Sequence, residues 1–402
     1  MTAAPDVRLA LRAGELLRIF NEAGVLTAAD VHVAERLGRL RGEGDPRVLL
    51  AAALVVRSTR QGSVLLSLAD APQTAVPTEG VDAATAALPW PEPGEWRAAV
   101  AASPLVASGG AAGRPLRMEG TDLWLDRYWR QEVALAEHLR RRTVDAPEVN
   151  LPRLRSTLAR LWPGETPEDQ RLAAAVCVLS RVSVLAGGPG TGKTTTVARL
   201  VAAFRELAEP GSPPRIALAA PTGKAAARMT EAMEEAALKD TTLLPADREV
   251  LRGLKASTLH RLLKMGIRSS KFAPGPGNPL PVDIVIVDEA SMISLSLFAR
   301  LFDALPPKAR LIIVGDPDQL AAVEAGAVLG DVAESATGER TPVRLAQLRS
   351  VVPHDASDIQ EAPESPVARV HDGIAVLRAV HRFSGPIAVL ASAIREGISD
   401  RG

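Results

Sequence analysis

Glycine, lysine and threonine recur at fixed intervals in VSVLAGGPGTGKTTT, residues Val182 to Thr196. Gly187, Gly192, Lys193 and Thr194 fall on the spacing G-x-x-x-x-G-K-[ST], with Gly188, Pro189, Gly190 and Thr191 between them and Thr195 after. The apolar run Val182 to Ala186 predicts a buried parallel strand, and Thr195 to Phe204 has helical composition. Strand, glycine turn and helix are the setting this spacing needs. Its chemistry is capture of a polyphosphate. Glycines let backbone N–H groups turn inward around phosphate oxygens, and a helix N-terminus adds partial positive charge. Lys193 would reach the β and γ phosphates, and the Thr194 hydroxyl would ligate Mg²⁺. The segment predicts a site for a nucleoside triphosphate with magnesium.

Three further segments carry candidate chemistry. IVIVDEAS, Ile284 to Ser291, is an apolar strand ending in two carboxylates. Asp288 at a strand end suits Mg²⁺ through water, and Glu289 could orient and deprotonate an attacking water. LIIVGDPDQL, Leu311 to Leu320, is another strand, ending in Gly315-Asp316. Taken alone, Gly-Asp-Pro-Asp reads as a turn, though Gln319 beyond it could report on a γ-phosphate. AAPTGKAAARM, Ala219 to Met229, puts Thr222, Gly223 and Lys224 where a helix begins, a second anion-ready terminus. It lacks the full phosphate-loop spacing and suits a nucleic-acid phosphate better than a nucleotide. From Arg252 to Lys271 there are six basic residues, Arg252, Lys255, Arg261, Lys264, Arg268 and Lys271, and no acidic one. That local excess is equally a track for a polyanion and a solvated helix face.

The elements that must hold these residues follow from patterning. Between about 146 and 335, strand-like runs at Val182 to Ala186, Arg215 to Ala220, Asp283 to Val287 and Arg310 to Val314 alternate with helical stretches. Such alternation predicts an α/β fold, an open parallel sheet with crossover helices, whose ligand lies beyond the carboxyl ends of the strands. All four motifs begin at those ends. Residues 1–145 predict a mainly helical first domain, with helices over Leu9 to Phe20, Ala28 to Leu40 and Pro46 to Arg57, and Thr27 as a cap. Ser63 to Leu68 reads as a strand, and Leu123 to Arg142 as a strand continuing into a helix. The aromatic cluster Trp124, Tyr128 and Trp129 fits a core or a partner-docking face better than a base-stacking platform. Residues 336–373 lose periodicity and read as a long loop or disordered insertion, and 374–402 return to helical patterns.

Composition sets the outer limits. The chain has 402 residues, 47% of them hydrophobic, enough for two to four domains with their own cores. With 47 basic and 47 acidic residues it is no globally basic nucleic-acid coat, although a locally basic channel remains open to it. The single cysteine, Cys177, lies in an apolar helical run and reads as a small core residue. Apolar runs such as Val48 to Val56 are too short to span a bilayer. The expectation is a soluble, cytoplasmic protein without membrane partners.

The succession QRLAAAV, GGPGTGKTTT, APTGKAAARM, STLHRLL, VIVDEASMI and GDPDQLAAVEAGAVLGD resembles the RecD subunit of the bacterial RecBCD exonuclease, a superfamily-one helicase. The resemblance takes in most of the chain, including the LDRYW segment. It implies a RecA-like ATPase domain, ATP with Mg²⁺, single-stranded DNA at break ends, and RecB- and RecC-like partners. It implies that Gln170 contacts adenine, that Gly188 to Thr195 wrap the phosphates, and that Thr194 and Asp288 hold Mg²⁺. Glu289 becomes the catalytic base and Gln319 the γ-phosphate coupler, while Pro221, Thr222, Gly223, Lys224, Thr258 and His260 line DNA. Arg382, in HRF, resembles the arginine that reaches across from a second motor domain and steadies transition-state charge. Later motifs of that second domain, a TVHKSQG-like segment and a closing arginine motif, do not occur, so residues 374–402 read as the start of an incomplete second RecA-like domain. The expected function is a 5′ to 3′ ATP-dependent helicase subunit in double-strand break repair and recombination. The alternative is a module that docks through residues 1–145, the partner-docking domain, onto a larger nuclease complex and binds ATP without translocating. A small P-loop kinase or GTPase is disfavoured, because no Asn-Lys-x-Asp guanine signature occurs.

Overall fold

The computed structural model of the chain describes residues 9–76, 88–107, 113–164, 168–264, 274–319, 325–326, 328–334 and 338–379. They fall into two compact units. Of these described residues, the first unit holds those up to 134 with 294–296 and 325–326, and the second holds the rest.

The first unit runs α1 (Glu15–Glu22), α2 (Ala28–Arg41), α3 (Pro46–Arg60), β1 (Leu65–Ser67), α4 (Ala71–Thr74), α5 (Pro93–Ala102), β2 (Val106–Ala107), β3 (Leu116–Glu119) and β4 (Asp122–Leu125). The helix α6 (Asp126–Val144) begins in it. Thr27 starts α2 as expected: its hydroxyl accepts from the Asp30 N–H while the Asp30 carboxylate accepts from the Thr27 N–H at 2.8 Å. Asp45 caps α3 and Pro46 opens it, and Leu50 to Val55 are all buried, which makes α3 the core helix. The strands form a sheet in the order β1-β4-β3-β2. Trp124 on β4 is buried, and the buried Arg117 stacks its guanidinium 4.3 Å from the Trp129 ring while pairing with Asp126 at 2.6 Å. Trp124 is thus a core residue, whereas Tyr128 and Trp129 are half-buried.

The second unit begins with α7 (Leu151–Leu161), α8 (Asp169–Leu179), β5 (Val182–Gly187), α9 (Lys193–Leu207), β6 (Ile216–Ala220), α10 (Gly223–Lys239) and α11 (Pro245–Gly253). It continues through β7 (Ser257–Thr258), α12 (Leu259–Leu262), β8 (Ile284–Val287), a 3-10 turn (Ala290–Met292), α13 (Leu295–Ala304), β9 (Arg310–Gly315), α14 (Val328–Glu334), α15 (Pro342–Val351), α16 (Pro366–His371) and β10 (Ile374–Leu377). The six strands make one parallel sheet in the order β10-β5-β9-β8-β6-β7. The four strands expected from patterning are therefore present and adjacent. Helix α8 is buried over nearly its whole length and includes Cys177, whose thiol burial pushes up to about 11. Its last carbonyls are taken by two arginines, Arg344, which is buried, and Arg310, which is half-buried. Arg344 donates to Leu179 O at 2.8 Å, and Arg310 donates to Val178 O and Ser180 O. Burial pushes both guanidinium groups down, to about 10.

The reading of residues 336–373 as a loop or disordered insertion is corrected. Helices α15 and α16 lie there, and Leu345, Leu348 and Val351 of α15 are buried, the last two in the core of this unit. Their starts, Thr341-Pro342 and Ser365-Pro366, look like loop punctuation but act as an N-cap followed by proline at the first helical position. Thr341 and Ser365 accept from the N–H groups of Arg344 and Ala368. A second correction concerns 374–402: Ile374 to Leu377 form a strand of the same parallel sheet, beside β5, rather than opening another domain. The remainder of that stretch, Arg382 included, lies outside the described residues.

Candidate nucleotide and nucleic-acid site

The glycine-rich loop leaves β5 at Gly187, which is buried and lies in register with Leu377 of β10. Two of its residues need glycine for conformational reasons, since Gly190 has φ 80° and Gly192 φ 83°. Lys193 opens α9, and its ammonium donates to the carbonyls of Gly187 (2.5 Å) and Gly188 (3.0 Å). The Thr191 hydroxyl donates to Gly188 O at 2.9 Å, whereas Pro189, Thr194 and Thr195 are exposed. The loop thus wraps its one cation, at the head of a 15-residue helix, in the arrangement that attracts a polyphosphate.

Gln170 is not on open surface. Its side chain is buried, its Nε2 donates to Thr191 O at 3.3 Å, and its Oε1 accepts from the Trp162 indole at 3.4 Å. It packs so closely on Gly192 that a Cβ there would collide with it.

The carboxylates follow from the next strands. Asp288 still belongs to the sheet edge, its N–H donating to Ala219 O at 2.9 Å. Its carboxylate accepts from the Glu289 N–H at 2.9 Å. Burial holds the Asp288 carboxyl above its usual range; the Glu289 N–H works against this, the Glu289 charge adds to it, and Lys193 opposes it. Glu289 has left-handed backbone, φ 54° and ψ 42°, a conformation that costs a non-glycine residue about 1–3 kcal/mol. Strain of this kind re-aims a side chain at a strand end. Gly315 of β9 holds that turn from beside it, since a Cβ there would sit 3.2 Å from the Ala290 nitrogen. After it, Gly-Asp-Pro-Asp forms the expected turn: buried Asp316 accepts from Asp318 N–H at 3.2 Å, and Gln319 is exposed.

A dication fits this donor set. A carboxyl that pays for burial as an anion and faces a second carboxylate is relieved by a positive charge, and an exposed hydroxyl at Thr194 can add an oxygen ligand. Among the described residues no group of three or more His, Cys, Asp or Glu could hold a metal by itself. Magnesium that shares its shell with phosphate oxygens and water needs no such group.

The residues expected to line a nucleic acid also come together. β6 and β7 pair in parallel, with Ala220 opposite Thr258, so Pro221 and Leu259 leave the sheet side by side. Thr222 caps α10 through the Ala225 N–H (3.2 Å), and Thr258 caps α12 through the Arg261 N–H (3.2 Å). Gly223, Lys224, Arg228 and His260 are exposed at these two helix starts. The basic stretch is less uniform than its sequence: Lys255 pairs with Glu234 on α10, an acid that sequence proximity hides. Arg268 and Lys271 lie outside the described residues.

Sequence reasoning missed Asp169, Arg171 and Asp355. Asp169 Oδ2 accepts from Arg378 N–H at 2.9 Å, and Arg171 pairs with Asp355 at 2.6 Å, both partners buried. The only signal for Asp169 and Arg171 is adjacency to Gln170, and Asp355 lies in the stretch read as a loop.

Comparison with known proteins gives the same outline. Residues 22–124 match the family model described as RecBCD enzyme subunit RecD, N-terminal domain, and residues 170–325 match an AAA domain. The RecD subunit of the RecBCD enzyme from Mycobacterium tuberculosis is 46% identical over 402 residues, covering 98% of this chain and 60% of that protein. That of Mycolicibacterium smegmatis is 44% identical over 393 residues, 96% of this chain and 60% of that protein. An ATP-dependent RecD2 DNA helicase of Deinococcus radiodurans is 41% identical over 156 residues, 39% of this chain and 18% of that protein. The chain thus spans about 60% of the length of the two RecD relatives. Along nearly its whole length, and over the part of those relatives that it spans, the chain is similar to RecD subunits of the RecBCD enzyme.

Proposed function

We propose that this chain binds ATP with Mg²⁺ and hydrolyses it while bound to single-stranded DNA, as a helicase or translocase subunit of a RecBCD-type exonuclease. The observation that carries the reading is the common edge of one sheet. The glycine loop after β5, the Asp288–Glu289 turn after β8, the Thr222–Lys224 turn after β6 and Thr258–His260 after β7 all follow the carboxyl ends of parallel strands. In open α/β sheets that edge is where ligands bind.

In this reading Gly187, Gly188, Pro189, Gly190, Thr191, Gly192, Lys193, Thr194 and Thr195 cradle the phosphates, and Gln170 serves the nucleotide from beneath the loop. Thr194 and Asp288 are the ligands for Mg²⁺, which when bound neutralises charge on the phosphate oxygens. Glu289 takes a proton from the attacking water as its oxygen bonds to the γ-phosphorus. The bond to the β-γ bridging oxygen breaks with its electron pair, and ADP and phosphate result. Gln319 reports the γ-phosphate, and Arg382 steadies the transition state. Pro221, Thr222, Gly223, Lys224, Thr258 and His260 hold the DNA backbone. Movement is 5′ to 3′, the setting is double-strand break repair and recombination in the cytoplasm, and the partners are RecB- and RecC-like subunits. None of the described helices is long and apolar enough to cross a membrane.

DNA-stimulated ATP hydrolysis is the test. Lys193→Ala and Glu289→Gln are expected to lose at least about a hundred-fold in turnover, the scale set by removing one electrostatic contributor. Lys224→Glu with His260→Glu should abolish the stimulation by DNA while sparing ATP binding. Hydrolysis indifferent to DNA would overturn the reading, and ATP binding without any hydrolysis would favour a docking module.

A further inference from the structure

Three successive side chains in the first turn of α8 each hold a different part of the ATPase unit. Asp169 Oδ2 accepts from the N–H groups of Arg378 (2.9 Å) and Ala379 (3.3 Å), where the chain leaves β10. Gln170 donates to Thr191 O in the glycine loop at 3.3 Å and packs on Gly192. Arg171 grips Asp355 through two parallel bonds, 2.6 and 2.8 Å, and donates to the Gly164 carbonyl at 2.7 Å. Asp355 in turn accepts from the Glu168 N–H at 2.8 Å, so it fixes the start of α8 from both the backbone and the side chain.

We infer that this turn is a positioning brace: the Arg171–Asp355 clamp sets Gln170 against the glycine loop, and Asp169 ties the same turn to the segment leaving β10. The inference rests on the triphosphate reading for its use, though not for its geometry. A bidentate guanidinium–carboxylate pair is the geometry for such a role, since two parallel bonds fix orientation as well as distance. The far end of α8 is also held, by Arg310 and Arg344 on its last carbonyls. Arg171, Asp355 and Asp169 are positioning residues here, acting on the loop through Gln170 or on the chain beyond β10.

Hydrogen–deuterium exchange on the full chain without nucleotide decides the matter. Removing one charge alone would strand the other, so Arg171→Met is combined with Asp355→Leu. The expected result is exchange about ten-fold faster in peptides spanning 188–193, with β8 and β9 unchanged. Unchanged exchange in the loop, or an equal rise in β8 and β9, would overturn the brace. With ATP added, the pair is expected to weaken ATP binding about ten-fold, and adding Gln170→Ala should weaken it no further, because both act through one contact. Additive losses would also overturn it. Should the wild-type chain bind no ATP, the triphosphate reading fails and the exchange result still judges the brace. If circular dichroism finds the double variant unfolded, Arg171→Lys, which keeps the charge but loses the paired geometry, is held to the same criterion.

Discussion

Leu377 of β10 lies in register with Gly187 of β5, and there is no room for a methyl group between them. A Cβ on Gly187 would sit 3.1 Å from both the Cβ and the carbonyl oxygen of Leu377, and 2.7 Å from the Thr191 hydroxyl. The glycine loop is therefore shaped on one side by a strand that comes almost two hundred residues later in the chain. Gly187→Ala must push either β10 or Thr191 away, at a cost of about 1–3 kcal/mol typical of overpacking. The expected outcome is a lower urea midpoint together with weaker ATP binding by calorimetry. Equal stability and equal affinity in the alanine variant would refute this account of the glycine.

Asp288 offers a prediction with a sign. Burial, helped by the charge of Glu289, raises its carboxyl above the ordinary value of 3.8, against the Glu289 N–H and Lys193. The unfolded chain then gives up this proton at lower pH than the folded one. Ionisation of Asp288 accordingly costs stability as the pH rises above about 3.8 through its folded value. Asp288→Asn removes the cost, so its Tm should exceed that of the wild type at pH 7, and by less at pH 4. Hydrolysis in the same variant should fall at least about a hundred-fold. A Tm difference that is constant across pH, or that shrinks toward neutrality, would remove the burial argument.

Cys177 is fully buried in α8, and its thiol is pushed up to about 11 by that burial, with the neighbouring Ser183 hydroxyl acting in the opposite sense. Almost no thiolate exists at pH 8, and reagents cannot reach the sulfur. Iodoacetamide should leave the folded chain unmodified over hours and alkylate it stoichiometrically in urea. Rapid labelling of the native chain at pH 8 would show that α8 opens locally, against both its core position and the brace at its start.

Val182 to Ala186, Ile284 to Val287 and Arg310 to Val314 are legible as strands because a parallel strand buried on both faces is an unbroken apolar run. Gly192 and Lys193 are legible because their spacing answers to the shape of a phosphate. Thr341-Pro342 and Ser365-Pro366 mislead, because the same dipeptides serve turns and helix starts, and only the packing of the residues after them separates the two. Lys255 looks unopposed in sequence since Glu234 is distant along the chain and adjacent in space. Gln170 is tied to the nucleotide by resemblance alone, and its grip on Thr191 carries no local signature.

Helix α15 packs residues of the stretch 336–373 into the core of the sheet. Leu348 of α15 is fully buried and belongs to the same core cluster as Leu185, Ile286 and Ile312 of the sheet. Its helix is further tied down where Arg340 donates to Ile374 O at 2.6 Å and Asp372 accepts from both the Thr341 N–H and hydroxyl. Were residues 336–373 a surface insertion, Leu348→Ala would change stability by no more than about 0.5 kcal/mol, as exposed substitutions do. Packed as it is, the truncation should cost about 2–5 kcal/mol through lost burial and the cavity left behind. Urea unfolding monitored by circular dichroism separates the two figures. Because β10 comes directly after this segment and pairs with β5, the loss should appear in the same transition that unfolds the ATPase sheet. A separate, earlier transition would mean that α15 is an appendage, and that the sheet stands without it.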